Sequence, residues 1–174
     1  MKIILKYGLL AGMIVGVYIM VEYAIGLHGK YLEYGQYTGY VRYVLLAAGV
    51  FIGVRDTRDG ERNGSISFWP AVWVGIRISF VAAAVITISE LIYIQFVNPG
   101  FTEDYIAFMI AKLKAANATV EEINNLLAQA KAWSSTAWQI VFYMGETMAL
   151  GAIFSIIAGA ILKKKPSGEL SHAH

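Results

Sequence analysis

The chain has no cysteine, only three histidines and only 15% charged residues in a length of 174. Disulfides, thiolate metal sites and cysteine nucleophiles are therefore excluded. Soluble domains carry about 25% charged residues. The shortage here is what a chain shows when much of its surface meets lipid. A hydrophobic content of 57% and a mean hydropathy of +0.56 point the same way. The net charge of +2 is too weak to suggest nucleic acid as a partner. No Ser-His-Asp set, HExxH, phosphate loop or dinucleotide fingerprint occurs. An enzyme is disfavoured, and no cofactor or metal is implied. His172 and His174, in the tail, read as a frayed end rather than a ligand pair.

What the chain does have is long apolar runs. Four are long enough to span a bilayer, at about 20 residues of about 1.5 Å each. They cover about Ile3–Leu27, Tyr37–Val54, Phe68–Val97 and Ala137–Leu162. The first is too long for a signal peptide and has no good cleavage pattern, so it reads as a retained helix. One membrane domain over residues 1–174 is expected. Basic residues sit at Lys2 and Lys6, at Arg55, Arg58 and Arg62, and at Lys163, Lys164 and Lys165. By the positive-inside rule both termini and the second connection are cytoplasmic, in a multi-pass protein of the inner membrane.

The outer segment of about 101–133 is neither lipid-soluble nor disordered. Thr102 can cap a helix carrying Tyr105, Met109 and Leu113 on one face. Asn117-Ala118 breaks it, and Thr119-Val120-Glu121-Glu122 is a capping box before a second helix. The expected fold is all-α: a four-span transmembrane bundle with an amphipathic helical hairpin on its outer face between spans three and four.

Glu22, Glu90 and Glu146 lie inside the apolar runs, where each ionised carboxylate costs about 2.5–3.5 kcal/mol on insertion scales. Each needs a partner, water or a proton. Glu146 and Arg77 each stand nine residues into antiparallel spans, or about 14 Å deep. An Arg77–Glu146 ion pair near the midplane is the expectation, with a snorkelling Arg77 and a protonated Glu146 as the alternative. Glu22, Glu90 and Arg42 fall near the outer ends of their spans. They read as an interfacial network with Arg42 between two acids, or as a vestibule that collects a cation or proton.

Gly8, Gly12 and Gly16, then Gly49 and Gly53, then Gly151, Ser155 and Gly159 form small-residue faces. Such faces let helix backbones approach closely in lipid, within one chain or across a homodimer. Tyr31, Tyr34, Tyr37, Tyr40 and Tyr43 recur every third residue. They suit an aromatic belt at headgroup level, with a sugar- or headgroup-binding platform as the sharper reading.

A family resemblance adds to this. It rests on Leu5-Lys6-Tyr7-Gly8-Leu9-Leu10-Ala11-Gly12, on Gly53-Val54-Arg55-Asp56, on Ile66-Ser67-Phe68 before Ala71 and Gly75, and on Asn98-Pro99 with Phe101. It closes on Glu146, Gly151 and Ser155, then Ile161-Leu162 before three lysines. From about Lys6 to Lys165 the chain resembles the four-helix membrane proteins of Bacteroidota grouped as domain of unknown function 4199. The resemblance implies four spans and a helical outer segment, and carries no activity or catalytic residue. The leading functional expectation is a non-enzymatic packing or assembly partner in the lipid bilayer, associating with its own copies or another membrane protein. The alternative is a small oligomeric transporter or ion- or proton-coupled permeation unit that uses the intramembrane carboxylates.

Overall fold

The computed structural model describes residues 1–133 and 135–165; His172 and His174 lie outside them. Among the described residues seven α-helices follow one another: α1 Lys2–Ala24, α2 Leu32–Thr38, α3 Val41–Asp56, α4 Phe68–Ile92, α5 Phe101–Ala115, α6 Val120–Trp133 and α7 Thr136–Leu162. Among the described residues the only strand-like pairing is an isolated bridge between Ile66 and Lys164. Four of the described stretches are long and apolar enough to cross a membrane: Lys2–Ala24, Leu32–Glu61, Phe68–Val97 and Thr136–Leu162. The fold is the expected all-α bundle with a helical hairpin, α5 and α6, between the third and fourth long helices.

Helix α4 is the centre, packed against α1, α3 and α7. Like α1 and α7 it is apolar all round, so hydrophobicity alone does not choose its place. Small residues did. Ala71, Gly75, Ser79, Ala82 and Ala83 are all buried, which lets three helices approach it at once.

The registers are direct. A methyl built on Gly8, Gly12 or Gly16 would come within 2.5–2.6 Å of Val81, Val85 or Ser89. Both series rise by four, so α1 and α4 run parallel. Between α4 and α7 the series run oppositely: Gly75 receives Ser155, Gly151 receives Ser79 and Gly159 receives Val72. The two serines satisfy their own hydroxyls by donating to the carbonyl four residues back, Ser79 to Gly75 at 2.9 Å and Ser155 to Gly151 at 2.6 Å. Gly49 likewise receives Ala11 from α1. Every small-residue face is consumed inside the chain.

The two ends differ. At the α3–α4 connection, Ile66 and Lys164 exchange backbone hydrogen bonds at 3.0 and 2.9 Å, tying that loop to the end of α7. Ile66 and Leu162 are buried there. At the opposite end the hairpin forms a cap in which neither α5 nor α6 has a fully buried residue. Its connection follows the sequence closely. Asn117 takes a positive φ of 57°, and Thr119 and Glu122 exchange side-chain-to-backbone bonds at 2.7 and 3.2 Å, which is the capping box. Thr102 is not a cap: α5 begins one residue earlier, with Gly100 at its N-cap.

Because Gly12 has a neighbouring helix where its Cβ would go, Gly12→Ala should destabilise the fold by about 1–3 kcal/mol. Gly145 has open space around it, so Gly145→Ala should be neutral or stabilising by up to about 1 kcal/mol through helix propensity. Thermal unfolding of both variants in the same detergent compares them; equal destabilisation would remove the packing argument.

Candidate functional site

Four charged side chains of the apolar helices, Glu22, Arg42, Glu90 and Glu146, gather at the cap end. Arg42 stands at the first turn of α3, where its guanidinium reaches both α4 and α7. Its Nη1 donates to Glu90 Oε1 at 3.0 Å, and its Nη2 donates to Glu146 Oε1 and Oε2 at 3.2 and 3.3 Å. Tyr43, the next residue, donates its hydroxyl to Glu146 Oε1 and accepts Arg42 Nη2 at 2.9 Å. Glu90 is only 6% exposed, so Arg42 is what makes its ionised form tolerable there.

Glu22 belongs to a second, adjoining group. Helix α1 ends in a glycine turn, Gly26 with φ 83°, and Leu27 N returns to Glu22 O at 2.9 Å. This closure suits glycine, which accepts the left-handed conformation, and it folds His28 back over the acid. His28 Nε2 lies 3.7 Å from Glu22 Oε2, and Thr38 donates to Glu22 Oε1 at 2.5 Å. His28 Nδ1 and the Tyr93 hydroxyl are 2.7 Å apart, and Asn98 Nδ2 donates to that hydroxyl at 2.8 Å. Tyr93 turns inward because the chain loosens into a π-helical turn at Tyr93–Val97, a distortion that re-aims side chains at functional sites.

These groups floor a cavity of about 470 Å³ beneath the cap, within the range of small-molecule sites. Glu22, His28, Arg42 and Glu90 lie at its base, while Phe101, Tyr105, Trp133 and Tyr143 contribute aromatic wall. On the far side of Arg42 a narrow cleft of about 10 Å³ reaches Glu146 and Thr147, room for about one water. Below this level Val15, Leu46, Val50 and Ile78 close the bundle. The arrangement is a chamber between the cap helices and a packed lower half.

One expected pair is overturned. Arg77 does not meet Glu146; it is exposed on the outer side of α4 with Trp73 and Phe80. Glu90 is thirteen residues further along α4 than Arg77, about 20 Å at about 1.5 Å per residue. Glu146 pairs at the level of Glu90, because α7 starts beside Trp133 of the cap, where Gln139 Nε2 donates to Trp133 O at 2.7 Å. Depth counted from the start of an apolar run therefore placed Glu146 too low. Arg42 does lie between two acids, but the second is Glu146 rather than Glu22.

His28, Thr38, Tyr43 and Tyr93 escaped the sequence reading. Tyr43 looked like the last rung of the tyrosine series, and Tyr34, Tyr37 and Tyr40 are indeed exposed. The start of α3 at Val41 changes the angular step, and Tyr43 turns inward with Arg42. Gly26, a glycine at the end of an apolar run, was the available sign that the chain reverses and returns His28 to Glu22.

Removing Arg42 alone leaves two carboxylates facing each other with little water. Arg42→Met should destabilise the protein by about 3 kcal/mol, and adding Glu90→Gln with Glu146→Gln should recover most of that loss. Arg77→Leu should stay within about 0.5 kcal/mol of the parent. Thermal unfolding in lipid nanodiscs tests the set; an Arg42→Met variant as stable as the parent would refute the ion-pair account.

No curated protein and no solved structure matches the chain. A family model described as a protein of unknown function, DUF4199, matches residues 6–164. That stretch takes in all but the first turn of the four long helices, with the cap and both polar groups, so the resemblance read from Lys6 to Lys165 holds, and this protein belongs to the DUF4199 family.

Proposed function

We propose that this chain is a non-enzymatic, multi-pass protein of the inner membrane that binds a small molecule in the chamber under its cap. The cap faces the extracytoplasmic side and both termini face the cytoplasm, as the clustering of Arg55, Arg58, Arg62 and the three terminal-end lysines supports. The observation that carries the reading is a cavity of about 470 Å³ floored by two buried carboxylates and walled by the cap helices. A cavity of that size with convergent polar groups is the default binding-site hypothesis. The polar side chains are spent on one another, Thr38 on Glu22 and Tyr93 with His28, which favours binding over catalysis.

This shifts weight from the packing or assembly role toward the permeation family of readings. The glycine faces that motivated assembly are occupied within the chain. What remains for a protein partner is α6, whose Val120 and Leu127 are exposed. A packed lower half makes a single copy a receptor or a one-ended carrier. Transport would need either a second conformation or a homo-oligomer.

The absence of native cysteine makes the chamber testable by single substitutions. Met109→Cys, on the chamber wall, should be modified by a membrane-impermeant methanethiosulfonate added to the outer side of spheroplasts. Val50→Cys, fully buried, should resist, and Ser65→Cys should react only after permeabilisation. An inert Met109→Cys would sink the chamber; labelling of Ser65→Cys from outside would reverse the orientation.

A further inference from the structure

We infer that the chamber takes an organic cation, a compact apolar or aromatic body carrying an ammonium group. This rests on the chamber reading above and adds the chemical class of the ligand. The first argument is charge. Glu22, Glu90 and Glu146 face a single guanidinium, Arg42, across the chamber floor and its cleft. Three carboxylates against one guanidinium leave an excess of two negative charges, or one when His28 is protonated. An uncompensated excess of that kind is costly in apolar surroundings, and a bound cation relieves it.

The carboxylates also keep hydrogen-bonding capacity. Arg42 spends Nη1 on Glu90 and Nη2 on Glu146 and Tyr43, and its Nε is buried with no hydrogen-bond partner. Glu90 uses Oε1 for Arg42, and among the described residues no hydrogen bond reaches its Oε2. Glu22 has Thr38 on Oε1 and His28 3.7 Å from Oε2, with Tyr18 also beside the carboxyl. Glu90 Oε2 is thus the acceptor oxygen most open to an N–H donor, with Glu22 Oε2 beside it on the chamber floor.

The walls decide between a metal ion and an organic one. Among the described residues no three His, Asp or Glu side chains converge as metal ligands. Phe101, Tyr105 and Trp133 instead surround the space above the acids, and aromatic faces attract ammonium groups while sheltering an apolar body. A proton on Glu22 or Glu90 would also remove charge, but it would leave the aromatic volume empty.

The test uses the full chain in lipid nanodiscs and three probes with one phenylbutyl body: 4-phenylbutylammonium, 4-phenylbutanol and 4-phenylbutyrate. Calorimetric titration should show saturable binding of the amine, at least about tenfold tighter than the alcohol, and weakest binding of the carboxylate. Glu22→Gln should weaken the amine about tenfold without changing the alcohol; it leaves the Arg42 group intact and serves if Glu90→Gln does not fold. A second measurement is kinetic. Met109→Cys should react about tenfold faster with the ethylammonium methanethiosulfonate than with the ethylsulfonate, relative to the same ratio at exposed Tyr37→Cys. Equal affinities for amine and alcohol, preference for the carboxylate, or no saturable amine binding would each overturn the inference. The chamber reading survives those results as long as Met109→Cys remains reactive, and falls separately if it does not.

Discussion

An ionised group inside an apolar bundle must find an opposite charge, and in this protein Arg42 meets that requirement for two helices at once. Its guanidinium reaches Glu90 on α4 and Glu146 on α7 while standing on α3. Water has limited access to the group, so each pairing is worth more than a surface salt bridge and each partner is costly to leave alone. Three of the four long helices are thereby joined at one level. The fourth joins through Glu22, which is held by Thr38 and His28 from the segment that follows α1.

Below that level the helices meet through glycine, alanine and serine, with Gly75 against Ser155 and Gly12 against Val85. Close backbone approach replaces the hydrophobic force that lipid cannot provide between helices. Above it, arginine, tyrosine and tryptophan are too large for such approach and hold the elements apart. The cap does not fill the resulting space, since α5 and α6 have no fully buried residue. A chamber follows from the change in side-chain size along the bundle axis. Lys112 on α5 donates to Gln36 at 3.1 Å, one of the few polar ties between cap and bundle.

The proposed role grows from that geometry. A packed half and a chambered half divide the bundle, and an excess of carboxylates over guanidinium gives the chamber its sign. The same constraint that stabilises the fold leaves a charge deficit that a ligand can correct. Structure and recognition thus share Glu90, which is both a partner of Arg42 and part of the chamber floor.

Much of the fold was legible in one dimension. Run length and polarity marked the four long helices, because a spanning helix must satisfy its backbone internally and so must be continuous. The Thr119–Glu122 box and Asn117 marked the hairpin, since caps are local interactions. The glycine series marked contact faces, and only the coordinates assigned them partners inside the chain. The acids Glu22, Glu90 and Glu146 stood out by their cost, but their company did not: Arg77, matched to Glu146 by depth, points outward, and Tyr43, counted with an exposed series, points in. Sequence by itself determined which segments are helical and which residues cannot remain alone in an apolar setting. Tertiary structure alone decided which charge meets which, because that depends on how far α7 rises beside the cap and how α3 and α4 are rotated, and neither quantity is written in any single segment.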